Sequence, residues 1–356
     1  MRYIKFITLT LCFLAGYSNL YAKNYFVSKK GNNKNIGSIY SPFKSIQFAI
    51  NKLKPGDTCF IRSGWYDENL VISKIGKPNL PIVIQAYKEE TVTIKPNKYK
   101  YRWIKHSKYI FKTRIRKKIS QVFESDKPQF QAAYPTIKEG VMNTMHWGDI
   151  YASGNKEILF KKVKHFNNIK GAHFNGICGR GLVSLNGKVI EQHNNNNKIK
   201  IQNEAFYWNK KYKNAYLGKG KGYLTGKLDF LDSPGEWFQD DKYFYYWPNS
   251  NINSIVLRST FDSIKILKSN YLEIKNIHLF GKHISVTNSS YVSLDKLSIL
   301  YPTPYFHFIS GFDRFGSSTE SNPNNWKGKG VIISGNNNIL KNSIISHSWR
   351  CSNTPW

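Results

Sequence analysis

Apolar and polar residues alternate in the same phase in two segments twenty positions apart: Ser269-Asn270-Tyr271-Leu272-Glu273-Ile274-Lys275-Asn276-Ile277-His278-Leu279-Phe280 and Ser289-Ser290-Tyr291-Val292-Ser293-Leu294-Asp295-Lys296-Leu297-Ser298-Ile299-Leu300. A degenerate third copy runs Gly335-Asn336-Asn337-Asn338-Ile339-Leu340-Lys341-Asn342-Ser343-Ile344-Ile345-Ser346. A period of two predicts strands and excludes a helical repeat. A unit this short cannot bury its own apolar face, so the copies must stack. Ile, Leu and Val interchange freely between copies, against the fixed leucine framework of a horseshoe, and the pattern predicts a parallel β-helix. Two ordinary hairpins in a sandwich are the competing arrangement. The expected stack covers residues 249–300 and 331–346, with Ile274, Leu279, Leu294, Ile299 and Ile344 turned inward. Asn at equivalent corners suits it, because amides can pair from coil to coil and Asn tolerates left-handed backbone.

The same alternation, broken by one helical stretch, marks residues 23–105 as the opening of the stack. Tyr25-Phe26-Val27-Ser28 reads as a strand, and residues 41–51 as an amphipathic helix with Phe43, Ile46, Ala49 and Ile50 on one face. Lys54-Pro55-Gly56-Asp57-Thr58 turns into the strand Cys59-Phe60-Ile61-Arg62, and Gly64-Trp65-Tyr66 turns into Leu70-Val71-Ile72. A last strand pair is expected at residues 81–87 and 91–94. The helix is the expected cap over the open first coil.

Residues 1–22 read as a secretory signal peptide: Arg2 and Lys5 supply the charge, residues 6–16 an apolar core too short to span a bilayer, and Ala22 the last residue before cleavage. Cys12 follows Leu11 rather than a small residue, which argues against a lipid anchor. The mature chain is therefore expected outside the cytoplasm, with no membrane attachment. Its three remaining cysteines, Cys59, Cys178 and Cys351, are odd in number and dispersed, so they imply no disulfide framework, and Cys59 reads as a small buried hydrophobe.

Charge adds a partner class. Lys and Arg number 53 against 22 Asp and Glu, a net charge of +31. AT-rich coding accounts for abundant Lys, Asn, Ile and Tyr but not for the shortage of Glu, and a polyanionic partner is the competing cause. For an exported chain that partner is an acidic polysaccharide rather than nucleic acid, since no nucleic-acid-binding motif accompanies the charge. No CxxC, HExxH or nucleotide-loop signature occurs, and the scarcity of carboxylates argues against a calcium cage. No cofactor and no metal are expected.

The residues of the opening segment resemble a known family. Tyr25-Phe26-Val27-Ser28, Pro42-Phe43 with Ile46, Pro55-Gly56-Asp57-Thr58, Gly64 with Tyr66, and Pro81-Ile82 with Ile84 are similar to the start of secreted right-handed parallel β-helix proteins of polysaccharide breakdown, both glycoside hydrolases and polysaccharide lyases. That signature marks the fold and not the reaction. Gln121-Val122-Phe123, Ala132-Ala133-Tyr134-Pro135, Asp232-Ser233-Pro234-Gly235-Glu236-Trp237-Phe238 and Tyr243-Phe244-Tyr245-Tyr246-Trp247-Pro248 resemble a β-rich region inserted in β-helical glycoside hydrolases of the fucosidase and xylanase type. The resemblance implies an insert over residues 106–248, with coils resuming over 249–356. It also implies that the turn bearing Glu236 is architectural, packing the insert on the coils, rather than catalytic. Within the insert, residues 150–230 lack clear periodicity. Lys161, Lys162, Lys164 and His165 read as a solvated basic face, and His193 with the asparagines that follow as a surface loop.

Residues 301–329 interrupt the pattern for nearly thirty positions, and loops that long inside a compact architecture are usually functional or disordered. Tyr301, Tyr305 and Trp326, with His347 and Trp349 beyond, offer rings for the apolar face of a sugar, and Arg314 a partner for its carboxylate or sulfate. Hydrolysis needs two carboxyl groups about 5–9.5 Å apart, for which Asp313 and Glu320 are the candidates. Elimination needs a cation and a base, for which Arg314 with His307, Tyr305 or a Lys is the corresponding set. The resemblance transfers no catalytic residue. In the resembling glycosidases a strand like Ile344-Ile345-Ser346-His347-Ser348-Trp349 leads into a Gly-Asp-Gly turn and further coils bearing the catalytic acids, whereas this sequence reads Arg350-Cys351-Ser352-Asn353-Thr354-Pro355-Trp356. The expectation is a truncated or frameshifted member with an exposed last coil prone to self-association. Three functions follow as expectations: a secreted carbohydrate-active β-helix of glycoside hydrolase descent acting on an extracellular glycan, a lyase for uronate-rich polymers, or a non-catalytic glycan-binding solenoid.

Overall fold

A computed structural model of the protein describes residues 22–96, 101–137, 147–153, 157–161, 166, 168–178, 183–193, 197–203, 218–259, 263–303 and 330–348. Among these the architecture is all-β, with three parallel sheets, two seven-stranded sheets built mainly of antiparallel pairs, and one seven-residue helix, α1 (Ile46–Lys52). Residues 1–22, expected to form a signal peptide, lie almost wholly outside the described residues.

The first parallel sheet aligns Asn24–Val27, Thr58–Ile61, Ile82–Ala86, Asn270–Lys275, Ser290–Asp295 and Ile339–Lys341. The second aligns Gly64–Tyr66, Val92–Ile94, His278–Phe280, Ser298–Leu300 and Ile344–Ser346, and the third Leu70–Ile72, Ser263–Leu267, His283–Thr287 and Val331–Ile333. From Ser263 onward the chain visits the three sheets in turn, and each return lands one strand further along. Ile274 lies beside Leu294 and Leu294 beside Leu340; Leu279 lies beside Ile299 and Ile299 beside Ile345. The segments therefore pair in parallel and are not hairpins. Ile274, Leu279, Leu294 and Ile299 are buried in one core, together with Cys59, because a period of two sends every second side chain to the same face.

Four expectations change. Ile344 is 67% exposed: the register sets it opposite Ser298 on the outer face, and Ile345, opposite Ile299, holds the inward phase. The parallel stack does not include residues 249–259, since Ile255–Ser259 pairs antiparallel with Ile119–Glu124. Gly64–Tyr66 is a strand rather than a turn, and Ile82–Ala86 and Val92–Ile94 lie in different sheets rather than pairing with each other.

The helix is shorter than its sequence pattern. Ser45 caps α1 by accepting from the Phe48 N–H, while the Glu68 carboxylate accepts from the Ser45 hydroxyl and from the N–H groups of Ile46 and Gln47. The free donors of the first turn are thereby satisfied. Ile46, Ala49 and Ile50 bury against the first coil, and Phe43 is buried ahead of the helix through a bridge to Val27.

From Lys268 onward the coils turn through left-handed residues: Asn276, Lys296 and Asn342 leave the first sheet, Gly281, Tyr301 and His347 the second, and Lys268 and Asn288 the third. That conformation costs a non-glycine residue about 1–2 kcal/mol. Bonds between coils offset it: Ser290 N–H donates to Asn270 Oδ1 at 3.1 Å, Val292 N–H to Asn338 Oδ1 at 3.0 Å, and Leu297 N–H to Ser343 Oγ at 3.0 Å. These Asn amides reach the backbone of the next coil instead of one another. Tyr271 and Tyr291 stack with centroids 4.6 Å apart, close to the strand spacing itself.

The insert forms two units. Gly148–Ala152, Glu157–Phe160, Lys198–Asn203, Val183–His193, His173–Cys178 and Gly218–Thr225 close into an antiparallel barrel, because the last of these pairs with both the first and the fifth. Gly220 and Gly222 share the inward phase of Leu224, and the ring of Phe174 lies so close to Gly222 that a Cβ there would come within 2.6 Å of it. Glycines where apolar side chains would mark a period are the reason the barrel was not foreseen. The second unit is the sheet Ile255–Ser259, Ile119–Glu124, Lys127–Gln131, Glu236–Gln239, Tyr243–Tyr246, Phe111–Arg114 and Ile104–Lys105.

Glu236 ties the two units together. Its buried carboxyl accepts from the N–H groups of Asp232 at 3.0 Å, Ser233 at 3.1 Å and Ala133 at 3.4 Å. Burial pushes the carboxyl from its ordinary 4.5 up to about 8, against these donors. The fold therefore holds the proton more tightly than the unfolded chain, and stability falls as pH rises from about 4.5 to about 8. Glu236→Gln is expected to remove this component, at most about 1.4 kcal/mol per pH unit, from urea midpoints measured across that window. A slope equal to that of the unsubstituted chain refutes the assignment.

Candidate functional site

Both long excursions of the chain leave the coils at the same corner. The insert departs after Val92–Ile94 and returns at Ser263–Leu267, and a second excursion departs after Ser298–Leu300 and returns at Val331–Ile333. Between them the intervening coil makes this corner with Gly281 and Lys282 alone. A Cβ on Gly281 would meet Phe123 and Pro96 at 3.2 Å, so the base of the insert rests directly on the corner.

Aromatic packing holds it there. The Phe123 ring lies 4.7 Å from that of Phe280 and 5.3 Å from that of Tyr301, and Tyr301 lies 4.7 Å from His347. Arg258, only 2% exposed, donates to Gln121 Oε1 at 3.1 Å and to the carbonyls of Tyr301 at 2.8 Å and Pro302 at 2.7 Å. Glu124 fixes the neighbouring hairpin by accepting from the Tyr246 hydroxyl at 2.7 Å and from the N–H groups of Asn249 and Ser250. Burial raises its carboxyl, but these donors outweigh burial and hold it below the usual range.

From this corner the outer face of the second parallel sheet carries Trp65, Thr93, His278, Ser298 and Ile344 in register. Trp65 is 61% exposed, and the Lys95 ammonium lies 3.5 Å from its ring centroid. Lys95 is also 3.5 Å from Asp126, at the tip of the hairpin joining Ile119–Glu124 to Lys127–Gln131, where Ser125 and Asp126 are both left-handed. Lys95 is itself buried between the ring and Asp126, so the strip offers an open ring and a row of hydroxyl and imidazole groups along the sheet. Such a surface can stack on the apolar face of a sugar while hydroxyl and imidazole groups bond to its hydroxyls.

No protein-family model matches the chain. Over 84 residues it is 34% identical to pectate lyase PEL9 of Emericella nidulans, a match covering 23% of this chain and 20% of that protein. Over 69 residues it is 35% identical to the uncharacterized protein YwoF of Bacillus subtilis, covering 19% of this chain and 15% of that one. These matches span about a fifth or less of the relatives' own length. A solved structure described as a glycoside hydrolase superposes with a TM-score of 0.58 at 13% identity, over 78% of this chain and 62% of that chain. That likeness is one of fold.

Of the residues expected at the site, the structure brings Tyr301 and His347 together, although they lie 46 positions apart in the sequence. Tyr301 is a half-buried wedge between insert and coils, and burial raises the pKa of its hydroxyl; His347 is exposed. Tyr305, His307, Asp313, Arg314, Glu320, Trp326 and Trp349 lie outside the described residues, as do Lys162, Lys164 and His165. Among the described residues no three His, Cys, Asp or Glu side chains are grouped to hold a metal ion, and no helix is long and apolar enough to cross a membrane. Trp65, Lys95, His278 and Arg258 were missed. An apolar ring in the outward phase of a strand was the available signal for Trp65, hidden by reading Gly64 as a turn.

Proposed function

We propose that the protein is a secreted, carbohydrate-active right-handed parallel β-helix of glycoside hydrolase descent, which holds an extracellular acidic polysaccharide along the outer face of its second parallel sheet. The three sheets visited in turn and the fold likeness support the architecture, and the partial match to a pectate lyase supports the class. The single observation that carries the ligand reading is the open Trp65 ring in register with Thr93, His278 and Ser298, in a chain of net charge +31.

The test is binding to polygalacturonate and to a neutral glycan by calorimetry across a salt series. Affinity for the polyanion is expected to fall steeply as the Debye length shrinks toward about 8 Å. Trp65→Ala should weaken binding roughly tenfold, the loss of about one stacked ring. Equal affinity for the neutral glycan at every salt concentration sinks the ligand reading. A second reading, elimination by a polysaccharide lyase, has the identity to PEL9 behind it. An unsaturated product absorbing in the ultraviolet selects it, new reducing ends without that product select hydrolysis, and binding without turnover selects a non-catalytic solenoid.

A further inference from the structure

Asp57, in the turn before Thr58–Ile61, is 3% exposed, and among the described residues it has no ion-pair partner. A carboxylate that deep is rarely left without a cation. Among the described residues its oxygens accept only from backbone: Oδ2 from the N–H of Lys54 at 2.9 Å, and Oδ1 from the N–H of Lys23 at 2.8 Å. The nearby Lys74 ammonium is turned to the carbonyls of Asn51 at 3.0 Å and Leu53 at 2.9 Å. Lys23 is itself held in place, its carbonyl accepting from the N–H of Thr58 at 2.9 Å, while Ala22 before it is exposed. The nitrogen on the buried carboxylate is thus the one that a cut after Ala22 would turn into an amine.

We propose that the leader is removed between Ala22 and Lys23 and that Asp57 is the receptor for the α-ammonium so formed. A signal peptidase hydrolyses the Ala22–Lys23 bond: water gives its hydroxyl to the Ala22 carbonyl and its proton to the departing nitrogen, and the amine takes a further proton from solvent. An amide hydrogen bond at 2.8 Å becomes a charge-assisted one without movement of the chain, and the solitary buried carboxylate gains its cation. Before cleavage the carboxylate has no cation bonded to it, Lys74 acting on it only at a distance, so the precursor folds less stably than the mature protein.

The full chain, exported from a bacterial host, is expected to yield a protein whose first residue by N-terminal sequencing and intact mass is Lys23. The mature chain with a free amine is then compared, in equilibrium urea unfolding, with the same chain acetylated at Lys23 and with one that retains Ala22. The free amine at Lys23 is expected to raise the folded-to-unfolded ratio roughly tenfold over either. In Asp57→Asn that difference should vanish; if this variant does not fold, the acetylated chain with Asp57 intact still decides. The inference rests on the export part of the proposed function and not on glycan binding. A first residue other than Lys23 overturns both the pairing and the cleavage site, whereas a Lys23 start with no stability difference, or one that persists in Asp57→Asn, overturns the pairing alone.

Discussion

Leu294→Asp is expected to abolish soluble folding. Leu294 is buried in the coil core, between Ile274 on one neighbouring strand and Leu340 on the other. The substitution removes apolar contacts made to both coils and places a carboxylate in a core of apolar side chains, which offers no cation. The combined loss exceeds about 5 kcal/mol, a large part of the roughly 5–15 kcal/mol by which a domain is stable. Circular dichroism should show no cooperative transition, and the chain should be recovered as aggregate. The adjacent outward position serves as control, since Ser293→Asp should fold normally. A soluble Leu294→Asp protein with a cooperative transition would mean that the inward face is wrongly assigned.

Arg258→Ala is expected to lower stability by about 3–5 kcal/mol and to loosen the insert from the coils. Arg258 is the largest fully buried side chain among the described residues, and its guanidinium donates from the strand Ile255–Ser259 to the carbonyls of Tyr301 and Pro302, where the second excursion begins. Truncation leaves a void and strands those buried acceptors, and each effect is worth some 1–3 kcal/mol. Urea unfolding measures the loss, and limited proteolysis should cut first in the segments linking insert to coils. Arg258→Lys should recover only part, because an ammonium cannot reach all three acceptors in the planar fork of the arginine. A change below 1 kcal/mol would mean that the corner is held by its aromatic rings alone.

The stacking of the coils could be read from residues 269–300 because alternation there is clean and the copies share one spacing. It failed one strand further on, where Ile344 and Ile345 are adjacent and alternation cannot choose between them. The barrel escaped because its inward phase is partly glycine, which leaves no apolar mark. The strip on the second sheet escaped for another reason: Trp65, Thr93, His278 and Ser298 are distant in the chain and become neighbours only through parallel register. Tyr301 and His347 were recognisable as rings, but nothing local announced that Phe123 and Arg258, from the insert, would hold the first of them in place.

Leu294 pairs with Leu340 in the same register in which Ile274 pairs with Leu294, although the first step takes 46 residues and the second 20. Coil closure is therefore indifferent to how much chain is looped out at the corner after the second sheet, and the entropy of closing a longer loop rises only slowly with its length. The corner behaves as a socket on a rack: units of any size plug into it, and the ladder behind them does not have to be redesigned. What is plugged in can be exchanged while the rack stays unchanged, and the same socket is where a foreign binding unit could be grafted onto this scaffold.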